Sequence, residues 1–569
     1  MLTSNRFKNS RVYWHAFIAF WGIVLFGYDT FVDPALNNCF GFAYLDESTV
    51  GSLEVSTLRS RELDLAVDVL HSGVVANQYF REYFGLIVDG EIDQKRLDAV
   101  SSNVVSVLQA GAFFGALGSA PISAKLGRKW TLVVFAVVFI VGAILTTIAG
   151  GSNGLAEIYS GRVISGIGIG GISAVAPAYI SECAPKNERG RITGLFQIMV
   201  TTGVMISYFI NFGIGIHIHN DPKVWKIPFG VQLIPAGIMC FGLFTLKESP
   251  RWLASVDRNQ DAIRSLAYLR KQPVDSPEVI HEMAEIEAAI EEERAARKGL
   301  GLKEAFFGKG NFVRFVVAFV IFLFQQLTGQ NSINYYAPQI FTSIGYTGTK
   351  NSLLASGIYG VVKVITTSLF VLFFVDLIGR KRPLFASAMG MGIVFFITGA
   401  ILKTHPPQDL PLDGPAPSPP PASQAMAAML YIYVFFYSLG WGPLPWIYSS
   451  EIFPTRTRHY GLAVASASQW LWNFVISKVT PQMLSELHYK IFFVYGTLNI
   501  GALAVFALII PETTGRSLED MDVIFGSVTA EQRQNEIIRL EKALDAHHED
   551  EGKAKEVTVR ESGSVDEKV

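Results

Sequence analysis

The sequence predicts an all-α membrane protein: twelve transmembrane helices in two pseudo-symmetric six-helix bundles, joined by a cytoplasmic helical linker. Three observations predict this fold class. Of the 569 residues, 50% are hydrophobic and only 17% are charged, and the mean hydropathy is positive. Apolar runs of roughly 20 residues, enough to cross a bilayer, recur along the chain. Short motifs of the first half return in the second at an offset of roughly 250–270 residues, which indicates a duplicated unit.

The apolar runs define the candidate spans. The first run follows a basic segment and has no small-residue cleavage site after it, which favours a retained span over a signal peptide. The predicted spans are 13–33, 103–124, 131–149, 158–179, 194–214, 227–246, 312–342, 352–376, 383–402, 425–449, 461–483 and 490–511.

Positive charge in the loops predicts the orientation. The loops 125–129, 185–191, 379–382 and 455–458 are rich in Lys and Arg, and the order of the spans puts all four on one side. Short cytoplasmic loops are enriched in these residues, so both termini are predicted to be cytoplasmic. The opposite loops, such as the Pro-rich 404–423, hold almost no positive charge.

A charged segment between spans 6 and 7 divides the chain. Residues 247–311 are Ala/Glu-rich and helix-periodic, which is typical of short amphipathic helices on the cytoplasmic face. Residues 1–246 and 312–511 then form the two bundles. Residues 512–569 form a cytoplasmic tail that becomes increasingly charged and is predicted to be partly disordered.

Several functional classes are disfavoured. A net charge of −2 gives no general basic character for nucleic acid. Three scattered cysteines and ten histidines without ligand spacing predict no disulfide scaffold and no metal site. The chain has no Walker loop, and the Gly-rich run 165–171 lies inside an apolar helix, where small-residue packing explains it. We therefore expect neither an enzyme nor a cofactor.

Two ionisable side chains interrupt the apolar runs: Asp29 in the first span and Arg162 at the start of the fourth. A charge in the hydrocarbon core costs at least about 2.5–3.5 kcal/mol, so such a group usually faces a cavity or a partner and marks function. Arg162 is the natural partner of Asp29. A purely structural cap or ion pair is the alternative.

The order of the motifs resembles the sugar porter family of the major facilitator superfamily, in its fungal hexose and quinate-like branch. The resemblance covers nearly the whole chain outside 31–72 and the tail. It is carried by "FGYDT" (26–30), "GRVISGIGIGG" (161–171), "PAYISECAPKNERGR" (177–191), "KESPRWL" (247–253), "QQLTGQNSINYYAP" (325–338), "DLIGRKR" (376–382), "WGPLPWIYSSEIFPTRTR" (441–458) and "PETTGRSLEDMD" (511–522).

The chain departs from the family pattern in three places. Ala124 stands where the first cytoplasmic motif normally has Asp, although the second copy keeps Asp376, and Lys247 replaces the Pro of "PESPR". "GYDT" is separated from its usual continuation, which is found at 73–85, and removing 31–72 joins the two without a gap. We interpret 31–72 as an insertion, such as a translated intron, in the region of the first extracellular loop. A genuine loop is the alternative, and the spliced transcript decides between them.

The resemblance implies a transport cycle driven by protons. In proton-coupled members, an acid in the span-1 motif and the span-4 Arg form a pair whose protonation gates the cycle, and Asp29 and Arg162 match these positions. Desolvation raises a carboxylate pKa and a nearby Arg lowers it, so a small change in geometry can load and release a proton.

Amides inside apolar runs match the family's substrate positions. Sugar hydroxyls must exchange water for amide or hydroxyl partners and an aromatic face. Polar association between helices is the alternative for any one amide. The predicted substrate residues are Gln197, Gln325, Gln326, Asn331 and Asn473, with Trp446 and Trp470 as aromatic walls and Tyr335 and Tyr336 as a gate where span 7 unwinds.

Lys363 lies near the middle of span 8, close to Gly360, where the family often has a substrate-binding Asn. A cation there is suited to the carboxylate of a sugar acid or quinate. Pairing with a helix carbonyl or with an acid on a neighbouring helix is the alternative.

A separate set of charges resembles the family's cytoplasmic network, which locks the two halves together in the outward-open state and has a gating role. A coupling of roughly 1–3 kcal/mol is enough to bias a rocking equilibrium. The predicted members are Glu182, Arg189, Glu248, Arg251, Asp376, Arg380, Glu451, Arg456 and Arg458.

The resemblance thus predicts a plasma-membrane importer of a monosaccharide, or of a related polyol or sugar acid such as quinate, working by proton symport. The expected partners are the substrate, the proton and the lipid bilayer, with no nucleic acid. A facilitative uniporter and a transport-dead sugar sensor are the alternatives. Such sensors usually carry a long C-terminal extension with repeated motifs, and this tail shows no repeat.

Overall fold

The computed structural model describes residues 11–21, 87–88, 91–92, 94–185, 189–218, 221–297, 308, 310–346, 349–406, 419–453, 457–513, 521 and 524–525. Asp29, the proposed insertion 31–72 and almost all of the predicted tail lie outside the described residues.

The first half follows predicted spans 1 to 6. Two antiparallel strands of two residues each, β1 (Ile87–Val88) and β2 (Glu91–Ile92), precede its second helix and are a small exception to the all-α prediction. The helices are α1 (11–21), α2 (Gln94–Leu126), α3 (Arg128–Ile148), α4 (Gly154–Cys183), α5 (Arg189–His217), α6 (Lys223–Val231) and α7 (Leu233–Thr245).

Three helices lie in the predicted linker: α8 (Pro250–Ser255), α9 (Asn259–Arg270) and α10 (Pro277–Arg297). The second half then repeats the helical pattern of the first. Its helices are α11 (Asn311–Leu327), α12 (Gln330–Ser343), α13 (Thr349–Leu369), α14 (Val375–Ile378), α15 (Lys381–Thr404), α16 (Pro421–Ser438), α17 (Leu444–Ile452), α18 (Arg458–Leu487), α19 (Lys490–Leu498) and α20 (Ala504–Ile509).

Seven described stretches are long and apolar enough to cross a membrane, which confirms the class of an all-α membrane protein. Helix α12 has only 14 residues and is not among them, and neither is the longer α18. Both carry amides, Asn331 and Asn473, and polar groups in a span face a cavity or another helix. The seven are Ser102–Leu126, Arg128–Ile148, Gly154–Cys183, Trp225–Thr245, Leu354–Phe374, Lys381–Thr404 and Lys490–Ile509.

Two spans of the second half are broken. Predicted span 7 is interrupted at Thr328 and Gly329, where Gly329 has a φ of +86°, and the helix resumes at Gln330. The break is shorter than the unwinding predicted for 328–338. Predicted span 10 is interrupted at 439–443, between α16 and α17, although the sequence analysis treated it as one continuous helix.

Helix α4 packs closely against α2 through its glycines. A Cβ added to Gly166 would overlap the backbone carbonyl of Leu108, and one added to Gly170 would overlap that of Ala112. Small residues at such positions let two backbones approach in a membrane. The Gly-rich run therefore serves helix packing, as its apolar context predicted.

We expect the substitution Gly170→Ala to destabilise the protein by about 2 kcal/mol, because the helix must move away from α2 to make room. Gly118→Ala is the matched control, since nothing lies within 4 Å of a Cβ at that position. Thermal melting of the purified proteins should show a lower midpoint for Gly170→Ala alone. Equal midpoints for the two variants would contradict the close-packing argument.

Candidate functional site

Five polar side chains gather where α11 and α12 meet α18, and we call them the amide cluster. Asn473 Oδ1 accepts hydrogen bonds from Asn331 Nδ2 at 3.1 Å and from the Tyr335 hydroxyl at 2.8 Å. Gln326 Nε2 donates to Gln469 Oε1 at 2.7 Å, and the Gln326 oxygen accepts from Asn331. The structure thus brings four of the predicted residues together. Gln469 was not predicted from the sequence, although it is an amide in an apolar run beside Trp470.

A second polar group surrounds Asn334 on the next turn of α12. Gln330 Nε2 donates to Asn334 Oδ1 at 2.7 Å and to the Tyr359 hydroxyl at 2.8 Å. Lys363 Nζ, on α13, lies 3.4 Å from Asn334 Oδ1, and the Tyr208 hydroxyl of the first half donates to the Asn334 carbonyl at 2.7 Å. The buried cation of span 8 therefore belongs to a polar group that adjoins the amide cluster along one helix.

Gln325 has a different role from its neighbour Gln326. Its Nε2 donates to the carbonyls of Trp441 at 2.8 Å and Gly442 at 3.0 Å, in the break of predicted span 10. In a helix the Trp441 carbonyl would accept from the N–H of residue 445, which is a proline and has none. The Nε2 group of Gln325 thus stabilises the break. For this group the structure shows polar association between helices, which was the alternative to substrate binding.

Trp446 lies between the two halves. Its ring is 4.8 Å from that of Phe322 on α11 and 5.3 Å from that of Phe196 on α5, centroid to centroid. Gln197 follows Phe196 and is 9% exposed. An indole that contacts rings from both halves suits the C–H face of a ring compound.

The remaining predicted site residues are placed as follows. Trp470 is fully buried, and its Nε1 donates to Ser173 Oγ of α4 at 3.2 Å, so it ties the two halves together. Arg162 is 1% exposed within α4. Asp29 and the side chain of Tyr336 lie outside the part that the structure describes.

The first half carries a charge network at one end of the bundle. Arg128 Nη2 and Glu182 Oε1 form an ion pair at 2.9 Å, and Ser249 Oγ donates to Glu182 Oε2 at 2.5 Å. Glu248 accepts the backbone N–H groups of Arg128 at 2.9 Å and Lys129 at 3.1 Å, at the start of α3. A carboxylate there stabilises the helix N-terminus.

The second half repeats this network. Arg380 Nη2 and Glu451 Oε1 form an ion pair at 2.8 Å, and Thr513 Oγ1 donates to Glu451 Oε2 at 2.6 Å. Glu512 accepts the backbone N–H groups of Arg380 at 2.9 Å and Lys381 at 3.0 Å, at the start of α15. We call the end of the bundle that holds both copies the basic end.

The glycines before the two arginines are equivalent as well, with φ of +88° at Gly127 and +91° at Gly379. Only glycine adopts this conformation without strain. The duplicated motif therefore encodes a turn, an arginine and a capped helix start in each half.

The two charge networks bear on the prediction that cytoplasmic charges lock the halves together. Within the described residues, each of these ion pairs joins helices of one half, so the pairs brace the individual bundles and do not bridge them. Arg251 is half-buried, and the side chains of Arg189, Asp376, Arg456 and Arg458 are outside the described part. Four members were not predicted from the sequence: Arg128, Ser249, Glu512 and Thr513.

Burial raises the pKa of the Glu248 carboxyl, while the backbone N–H groups of Ser249, Lys129 and Arg128 oppose that shift. The donors that hold this carboxylate in the charged form are the same ones that need an acceptor at the start of α3. Charge and helix capping therefore support each other at the basic end.

An all-α membrane chain whose halves repeat one charge network, and whose second half gathers buried amides, has the architecture of a secondary transporter of the major facilitator superfamily. The family model for "Sugar (and other) transporter" matches residues 14–525. The chain therefore belongs to the sugar transporter family, and its relatives are permeases and symporters rather than enzymes.

Two curated relatives are fungal quinate permeases. The chain is 38% identical to the quinate permease of Emericella nidulans over 446 residues, 78% of this chain and 83% of the relative. It is also 38% identical to that of Neurospora terricola over 483 residues, 83% and 86% of the two chains.

Two solved structures share the fold. The proton:xylose symporter XylE bound to 6-bromo-6-deoxy-D-glucose has a TM-score of 0.70 and 25% identity, covering 91% of this chain and 99% of that one. The inward-open conformation of the E. coli xylose transporter XylE has a TM-score of 0.64 and 24% identity, covering 90% and 98%.

Proposed function

We propose that this protein imports a small polyhydroxylated ring compound by proton symport across the plasma membrane, with both termini in the cytoplasm. A ring acid of the quinate type is the proposed substrate, and a monosaccharide is the nearest alternative. The observation that carries this proposal is the amide cluster, in which Gln326, Asn331 and Asn473 converge where α11 and α12 meet α18.

Amides suit the recognition of hydroxyl groups because each carries both donors and acceptors. In the present arrangement the amides hydrogen-bond to one another, which offsets the free-energy cost of burying them. A substrate hydroxyl exchanges one of these bonds for an equivalent one. Trp446 offers an apolar ring face where it contacts Phe196 of the first half.

Lys363 favours an anionic substrate. It is 4% exposed, and its Nζ lies 3.4 Å from Asn334 Oδ1 and 5.6 Å from the centroid of the Tyr437 ring. A carboxylate stabilises a buried ammonium more strongly than a neutral oxygen does, so a ring acid suits this position. The names of the fungal relatives, quinate permeases, point to the same chemistry.

Proton coupling rests on Asp29 and Arg162. Arg162 is buried in α4, where a charged group usually faces a cavity or a partner, and Asp29 is the acid that the span-1 motif supplies. A solved protein of this fold at 25% identity is described as a proton:xylose symporter. A carboxylate that is protonated in one state of the cycle and paired with Arg162 in the other ties transport to the proton gradient.

We expect Lys363→Met to raise the KM for quinate at least tenfold and to change the KM for glucose by less than threefold, because only quinate loses a charge partner. Uptake of both labelled compounds in a transporter-null yeast, with and without a protonophore, measures this. Equal effects on both substrates would contradict the anionic assignment. Uptake of neither compound by the wild type would overturn the proposed function itself.

A further inference from the structure

Gln109, in the middle of α2, is not accounted for by the site described above. Its side chain is 1% exposed, and neither Oε1 nor Nε2 has a hydrogen-bond partner among the described residues. Buried amides are nearly always hydrogen-bonded, and leaving both atoms of one unpaired is costly. Such a group needs an explanation, and a substrate that binds there supplies the missing partners.

The side chain of Gln109 faces the second half. Ser102, Val105, Gln109 and Ala112 are spaced by three or four residues and therefore share one face of α2. Lys478 Nζ, on α18, donates to Ser102 Oγ at 3.0 Å. Val105 belongs to the buried apolar cluster built mainly from the second half. This face of α2 thus lies against α18.

The depth of Gln109 follows from the same contacts. Helix α18 starts at the basic end, where α2 finishes, so the two helices are antiparallel. Gln109 is seven residues along α2 from Ser102, about 10 Å at 1.5 Å per residue. Seven residues back along α18 from Lys478 lies the helical turn 470–473, so Gln109 is at the depth of Asn473. Trp470 shares a buried apolar cluster with Ala112, as this register requires.

We propose that Gln109 is a further substrate-contacting residue, which binds a ring hydroxyl from the first half while the amide cluster binds the ring from the second. The assignment rests on the proposed function, since it requires a polyhydroxylated substrate. One amide both donates to and accepts from a hydroxyl, so a single ring substituent satisfies both unpaired atoms. The contact also joins the substrate to both bundles, so the protein selects compounds whose hydroxyl group points toward Gln109 in the bound orientation.

Binding of glucose, quinate and the mono-deoxy derivatives of glucose to the purified full-length protein tests the assignment. Gln109→Leu removes the amide, and Gln232→Leu is the matched control because Gln232 is equally buried at the junction of α6 and α7. We expect Gln109→Leu to weaken glucose binding at least tenfold. It should weaken the one derivative that lacks the contacted hydroxyl by less than twofold.

Two results would overturn the assignment: unchanged binding of every compound by Gln109→Leu, or loss of affinity by one common factor for all of them. Gln109→Met, which keeps the length of the side chain without its polar atoms, gives the same reading if the Leu variant does not fold. Failure of the proposed function is distinct, because then the wild type binds neither glucose nor quinate.

Discussion

Replacing Gln326 with Leu is expected to weaken substrate binding on the order of 100-fold. Gln326 is 1% exposed and links Gln469 to Asn331, so its loss removes a hydrogen-bond partner from each of them and a ligand for the substrate. A buried polar group left unpaired costs about 1–3 kcal/mol, and a loss of about 3 kcal/mol corresponds to this change in Kd. Isothermal calorimetry on the purified protein measures it.

Gln232→Leu again separates this effect from general loss of a buried amide. It removes a glutamine that is also 1% exposed, at the junction of α6 and α7. We expect its Kd to match that of the wild type. A Gln326→Leu variant that melts at a lower temperature but binds as tightly as the wild type would show that the amide cluster only packs helices.

Asp29→Asn is expected to abolish accumulation of substrate against its gradient while exchange across the membrane continues. Asn has nearly the same shape as Asp but takes up no proton, so the variant keeps the pocket and loses the coupling. The ratio of internal to external substrate should fall from well above one to one. Uptake time courses in proteoliposomes with an imposed pH gradient measure this ratio.

The same vesicles supply the control for Asp29→Asn. Counterflow, in which internal unlabelled substrate drives entry of labelled substrate, needs no proton gradient. We expect counterflow by the variant at a rate within about tenfold of the wild type, since only the protonation step is lost. Loss of counterflow together with accumulation would mean that Asp29 is required for the shape of the first helix instead.

The sequence was sufficient to predict much of the amide cluster because a polar side chain in an apolar run carries its own signal. Asn331, Gln326 and Asn473 stand out in this way, and the structure brings them together. Helix packing by the Gly-rich run was equally predictable, since small residues inside a span have few other uses.

Other features depend on tertiary contacts that no local pattern records. From the sequence alone, Gln325 and Gln326 were predicted to have the same role, but Gln325 bonds to the break at 439–443. The apolar run around that break contains no signal for it that was recognised. An indole in a span suits lipid, a pocket or another helix equally well. Only the contact with Ser173 shows that Trp470 joins the halves. Glu512 follows the last span and was therefore assigned to the tail.

The most direct test follows proton movement itself. Wild-type protein in weakly buffered proteoliposomes is given quinate with no imposed gradient, and the external pH is recorded. Substrate-driven proton uptake should make the outside alkaline, with a response that a protonophore removes and that Asp29→Asn lacks. Quinate entry with no pH change, or an identical pH change in the Asn variant, would contradict the account.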